Sequence, residues 1–422
     1  MYKFSGNKRS ALLGTVAVTA LISSAAVAVA GGFAVREQST EFQCMSFAGS
    51  AAMGGGIGTM FWNPAATASK EGFNTESNYA LIIPDAEVHT KGGTSAALGG
   101  LNSNSGSIAG LAIVPASYMT YQFKNFDPNL FVGLGINSPF GLTTEPENNN
   151  YKGAVLGRTS HLFTINVNPT IAYRVSPAIT VGVGAQMMYA SGQFKFAALA
   201  APGVLVPGSA GFEGNDIAFG ATAGINFAPA PGTNIGLGYR SRMTEKLEGT
   251  FFSPVAAPTN GTVDVKLPDI VTLSLRQAMA PNMRLLGTVE YTSWNVFDEL
   301  RVKRQVGADV VIDAKWSDSW LFSIGGEYDV NRALTLRTGV GYEISPVDDP
   351  TKRIIGIPDS DRIWASIGAS YKYSAATTID FAYTHIFLKD AELNRLSQQG
   401  LRVVADVEAK TDILSVALKT RW

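Results

Sequence analysis

One cysteine, three histidines and, past position 30, no apolar run of eighteen residues set the first limits on this chain of 422 residues. Cys44 alone cannot close an internal disulfide. Glu41-Phe42-Gln43 before it lacks the small residues of a lipidation site, so it reads as a small half-buried side chain. The missing long run excludes helical membrane spans and leaves a β-barrel as the membrane option, with a weaker signal per strand. His89, His161 and His385 fall in no Ser-His-acid arrangement, so no catalytic residue is expected, and no cofactor or metal site either. Charge is sparse at 16% of residues and basic clusters are missing, which argues against nucleic acid as a partner.

The first thirty residues read as a secretory signal peptide. Lys3, Lys8 and Arg9 precede an apolar stretch from Ala11 to Ile22, and Ala28-Val29-Ala30 offers small residues at a cleavage site. An uncleaved anchor is the competing reading, against which stand the Ser23-Ser24 break and the Ala-rich end. Removing residues 1–30 takes away three bases and no acids, so the formal charge moves from −1 to −4.

What remains is rich in glycine, 44 in all, and alternates in hydropathy. Leu414, Val416, Leu418 and Trp422 share one face of a strand, and Ser415, Lys419 and Arg421 the other. The pattern repeats at 320–330, 334–343 and 363–373. Short, turn-rich connections are expected at 125–128, 175–177, 229–232, 280–282, 330–332 and 374–376. Long ones are expected at about 85–110, 141–160, 197–213, 251–261, 305–314, 347–360 and 391–409. Six short and seven long connections join fourteen strands. An even count with both ends on the short-turn side predicts an all-β fold, a 14-stranded antiparallel transmembrane β-barrel over 71–422. A soluble β-sandwich competes. Against it stand long strands at 178–196 and 233–250, and Tyr371, Tyr373, Tyr383 and Trp422 placed as an interfacial girdle.

Fourteen strands enclose a lumen too wide for side chains alone to fill. Residues 31–70 are Gly/Ala/Ser-rich, lack a period and carry Phe33, Phe42, Phe47, Phe61 and Trp62. Irregular backbone at membrane depth is tolerated only inside protein, so this segment is expected to be an N-terminal hatch in the lumen rather than a disordered tail.

At this level of detail the chain resembles the FadL-like outer-membrane transporters of long-chain fatty acids and other hydrophobic compounds. The carriers of the likeness are GGFAV at 31–35, NPA at 63–65, INSPFGL at 136–142 and LPDIVTLSL at 267–275. EYTSWNVFDEL at 290–300, RTGVGYEISPV at 337–347 and IPDSDRIWASIG at 357–368 follow in family order. The resemblance implies a monomer in the bacterial outer membrane, among its lipids, taking up a fatty acid or an aromatic hydrocarbon without an energy source. It implies a hatch motif at Asn63, Pro64 and Ala65, a ligand contact at Phe33 and a lateral opening in the third strand. Asn137, Ser138 and Pro139 fit that opening physically, because proline brings no N–H to a strand ladder. An apolar capture groove is expected in loops that should otherwise be polar, at Leu199, Val204, Leu205 and Val206 and at Phe251, Phe252 and Val255, with self-packing of those loops as the rival. One departure stands out. Where fatty-acid members carry bases on the fifth and tenth strands, this chain places Phe196 and Ser317, with Lys195 and Lys315 nearby on other faces. A general porin is the second functional rival, needing a charged constriction and no plug.

Overall fold

The computed structural model describes residues 31–422; the expected signal peptide at 1–30 lies outside the described residues. Fourteen antiparallel strands follow one another around a closed barrel. They are β1 (Phe73–Thr90), β2 (Asn104–Ser107, then Ala112–Gln122), β3 (Leu130–Asn137, then Gly141–Thr144), β4 (Thr159–Arg174) and β5 (Ile179–Phe196). β6 (Ala210–Phe227), β7 (Thr233–Arg240, then Met243–Ser253), β8 (Ala256–Leu267, then Ile270–Ala280) and β9 (Met283–Thr292, then Glu299–Arg304) continue the wall. β10 (Val310–Asp313, then Ser319–Asp329), β11 (Leu334–Ile344), β12 (Arg362–Lys372), β13 (Thr377–Leu388, then Ala391–Leu396) and β14 (Arg402–Arg421) complete it. β14 closes on β1 in unbroken register from Asn74↔Arg421 to Thr90↔Ala405. Closure leaves neither β1 nor β14 with a free edge between first and last strand.

The wall is inside-out relative to a soluble protein. Leu273, Leu275, Phe322, Ile324, Val340, Ile367, Phe381 and Leu414 are exposed, while Glu76, Arg240, Glu290, Glu327, Glu343 and Asp380 are buried. Outward apolar side chains meet acyl chains, and inward polar ones must find partners in the lumen. The aromatic girdle holds at one rim, where Phe73 and Trp422 stack with ring centroids 6.3 Å apart. Tyr383 differs: it lies mid-strand, its hydroxyl donating to Asp412 at 2.7 Å.

The six short connections fall where expected. Of the long ones, 347–360 alone lies wholly outside strands among the described residues. At 251–261 the chain continues as strand through Phe251 and Phe252 and turns at Pro254-Val255. At 391–409 a β-hairpin stands in place of a loop, and Val310–Asp313 pairs with β9 inside the stretch expected to be irregular. Strand 233–250, expected as continuous, is interrupted at Ser241-Arg242. The hairpins run past the bilayer, where both faces meet water and the one-sided apolar period that marks a membrane strand is lost.

Candidate functional site

Residues preceding β1 fill the lumen as short helical turns, Thr40–Gln43, Ile57–Phe61 and Pro64–Ala68. The NPA stretch opens the third of these. Asn63 is extended, its side-chain oxygen accepts the Ala65 N–H at 2.9 Å, and Pro64 takes the first helical position, where no donor is needed. The Asn63 amide also donates to the Ala51 carbonyl at 2.8 Å and to Ile225 of the wall at 3.0 Å. Opposite these turns the wall carries glycine. A Cβ at Gly238 would overlap the Trp62 carbonyl, one at Gly236 the Ala51 carbonyl, and one at Gly182 the Pro64-Ala65 peptide. Ion pairs fix the other flank: Glu41 meets Lys419 and Arg337, and Glu327 lies 2.5, 2.7 and 2.8 Å from Arg276, Arg284 and Arg337.

The first described residues form a strap across the lumen. Phe33, buried, sits among Trp294, Phe297, Trp316 and Phe140 with ring centroids 4.7, 5.2, 6.0 and 6.2 Å away. These spacings lie within the edge-to-face range of aromatic packing. Arg36 follows. Its guanidinium pairs with Glu290 of β9 at 2.9 Å and Glu343 of β11 at 2.6 Å. None of the three side chains is more than 4% exposed, so the charges must be matched for the strap to dock at all.

The strap docks at the break in β3. β3 pairs with β2 from Gln122↔Phe131 to Ser117↔Ile136, then not again until an isolated bridge at Ala109↔Thr144. Against β4 its ladder runs to Asn137↔Asn166 and resumes at Gly141↔Phe163, three residues opposing two. That extra residue is a bulge, which bends the strand. Ser138 Oγ donates to the Thr164 carbonyl at 2.6 Å, standing in for ladder bonds. On the lumen side, Val35 N–H donates to the Pro139 carbonyl at 2.8 Å and Gly141 N–H to Phe33 at 3.0 Å. Gln38 adds a side-chain bond to the Ser138 carbonyl at 2.8 Å. Ala112–Ala116 of β2 keep their pairing to β1 but have no strand partner on the β3 side among the described residues. Pro115 sits in that unpaired edge, where its missing N–H is no loss, and exposed Leu111 and Ile113 form the outer lip.

The expected loop groove is not assembled as one surface. Leu199 and Leu205 belong to a small hairpin and pack with Val88, Leu98, Tyr151 and Val403. Val206 is half-buried there, and Val204 is exposed. Phe251 instead joins the lumen cluster of Phe33 and Trp294, under the Arg304 guanidinium at 4.7 Å. Phe252 is half-buried, and Val255 is exposed at the tip of the hairpin. Apolar composition marked these residues, but not which neighbours would cover them. At the two positions where bases were sought, Phe196 packs against the lumen cluster, and Ser317 donates to Asp348 at 2.7 Å. Asp348 lies in a loop outside the membrane, and the Lys352 ammonium bonded to it holds its carboxyl below the usual range. Arg36, Glu290, Glu343, Trp294, Trp316 and Pro115 carry the site without having been singled out for it. A concavity of 1130 Å³ between Tyr79, Met283, Ile367 and Leu414 opens on the outer wall, among lipid, and is not part of the lumen.

Residues 20–422 match the family described as outer membrane protein transport protein (OMPP1/FadL/TodX). The chain is 28% identical to the long-chain fatty acid transport protein of Escherichia coli O6:H1, over 87% of this chain and 89% of that one. It is also 28% identical to the 47 kDa outer membrane protein of Pasteurella multocida, over 97% and 99%. Among solved structures it is similar to a Pseudomonas aeruginosa FadL homologue, with a TM-score of 0.82 at 20% identity over 92% of this chain and 99% of that one. The Pseudomonas putida toluene transporter TodX aligns with a TM-score of 0.67 at 16% identity, over 93% and 100%. Below 25% identity these two speak to the fold.

Proposed function

The chain belongs to the outer membrane protein transport family (OMPP1/FadL/TodX), and from that premise we propose that it takes up long-chain fatty acids or similar hydrophobic compounds by passive passage through the outer membrane. We take residues 1–30 as the leader that directs export, 31–70 as the hatch and 71–422 as the barrel. Apolar ligand is captured near the extracellular hairpins, held in the lumen around Phe33 and Phe251, and released sideways at Asn137-Ser138-Pro139.

One observation carries this reading: the hatch stops the lumen, while the wall has its pairing gap where the strap around Phe33 docks. An apolar molecule gains nothing by crossing water, so an exit into the bilayer avoids the cost of hydrating it. A general porin would leave its lumen open, and the Escherichia coli relative named above is a long-chain fatty acid transport protein. Phe196 and Ser317, where bases were sought, favour as a second reading an uncharged ligand such as an aromatic hydrocarbon.

The test closes the gap. Pro139→Val, together with a disulfide bridging β2 and β3 beside Val114, should abolish uptake of a labelled fatty acid or hydrocarbon by whole cells while purified protein still binds it. Uptake that survives a verified closed wall would send the ligand through the hatch instead.

A further inference from the structure

The apolar cluster around Phe33 continues along the lumen through Met243, Leu247, Val263, Val265 and Leu267. One side chain breaks it. Glu245 lies between Met243 and Leu247 on the inward face of β7, opposite Val265 of β8. It is 1% exposed, and neither of its carboxyl oxygens has a hydrogen-bond partner among the described residues. Asp216 on neighbouring β6 alternates with exposed Ile217 and so shares the inward face with buried Phe212 and Ala218. It brings a second acid, not a counter-charge, and its Oδ2 already accepts the Lys246 N–H at 2.6 Å.

The bases of this half of the lumen are engaged elsewhere. Arg240 binds Gln186 and the Phe61 carbonyl, and Arg36 binds Glu290 and Glu343. Arg304 lies over Phe251 and donates to the Ala308 carbonyl. A buried carboxyl left without a donor in apolar surroundings is costly, and such groups are rare where nothing arrives to satisfy them. A site whose polar group waits for a ligand donor also rejects the analogue that lacks one, because its own group then stays unpaired.

We propose that Glu245 is the headgroup site of the lumen, taking a long apolar molecule whose polar end carries a hydrogen-bond donor and no negative charge. A hydroxyl donates one bond to the carboxyl; an ammonium adds a charge pair and is favoured further by Asp216. A carboxylate brings no donor and sets a further negative charge beside Asp216. This rests on the uptake reading and narrows its ligand to similar hydrophobic compounds with an uncharged or cationic end, in place of fatty acids.

The test uses the full-length protein in detergent, with native mass spectrometry reading retention of four twelve-carbon probes: dodecanol, dodecylamine, dodecanoate and dodecane. At neutral pH dodecanol and dodecylamine should each be retained about tenfold better than dodecanoate. Glu245→Gln should keep dodecanol and lose most of the advantage of dodecylamine, and Glu245→Leu should bring dodecanol down to the level of dodecane. Both substitutions remove an orphaned acid; should either fail to fold, Asp216→Asn must raise dodecanoate relative to dodecanol. The proposal is overturned if dodecanoate binds the parent as well as dodecanol, or if the order survives Glu245→Leu. Retention of all four probes without order defeats this inference alone, whereas retention of none defeats the uptake reading as well.

Discussion

Replacing Arg36 with methionine removes the charge that ties the strap to the far wall. Its guanidinium lies 2.9 Å from Glu290 and 2.6 Å from Glu343, with all three side chains buried. Removing one partner of a buried pair costs about 3–5 kcal/mol, mostly as the penalty of the charge left behind. Here the orphaned acids keep other donors. Glu290 accepts from the Thr272 hydroxyl at 2.8 Å, and Glu343 from the Trp364 indole at 3.1 Å. The lower end, about 3 kcal/mol, is therefore the working figure. At about 1.4 kcal/mol per factor of ten, the docked-to-undocked ratio falls on the order of a hundredfold. Phe33 resists with roughly 1.5–3 kcal/mol of burial, so the strap should open intermittently rather than come free. Planar-bilayer conductance should show brief openings that are rare in the parent, and limited proteolysis should cut faster between residues 36 and 40. Adding Glu290→Gln and Glu343→Gln removes the orphaned charges and should restore most of the quiet behaviour. If Arg36→Met conducts and resists protease like the parent, the ion pairs are not a latch.

Gly238→Val should displace the hatch near the Trp62 carbonyl, raising conductance while the barrel keeps its heat-modifiable mobility in gels; an unchanged conductance would mean that the close approach is not real. Deleting residues 32–65 should leave a foldable barrel that conducts ions, because the strand ladder closes without the hatch; a silent deleted form would remove the plug assignment. Phe251→Asp should weaken ligand retention in the lumen by about 10–100-fold, the worth of one buried apolar side chain, as read by native mass spectrometry. Leu205→Asp should leave that retention unchanged, since Leu205 packs in a separate cluster; equal losses would join the two surfaces into one groove.

Strands within the bilayer were legible because lipid imposes a one-sided apolar period, as at Leu414, Val416 and Leu418. The hatch was legible from its missing period and its aromatics. The break in β3 was expected through the family resemblance, and Pro139 fits it as a residue without a backbone donor. Its counterpart was not: Pro115 matters only because β2 faces the gap, which is a fact of register. The latch was hidden for a related reason, as Arg36 is separated by 254 and 307 positions from the acids it meets. Phe251 and Leu205 looked alike because hydropathy reports that a side chain will be covered, and topology alone decides by what.

Three glycines of the wall, at 182, 236 and 238, lie against the backbone of the hatch rather than against its side chains. A cast and its mould share this relation, and it limits how the protein can change. Side chains can trade volume with a neighbour by shifting a rotamer, but a carbonyl seated where a methyl would go has nowhere to retreat. Substitution in this part of the wall therefore waits on a prior rearrangement of the Asn63 turn, and a hatch borrowed from a relative must arrive with its own recesses. Inheritance of plug and wall is coupled at these positions, although the outer face of the same strands is free to drift among apolar residues.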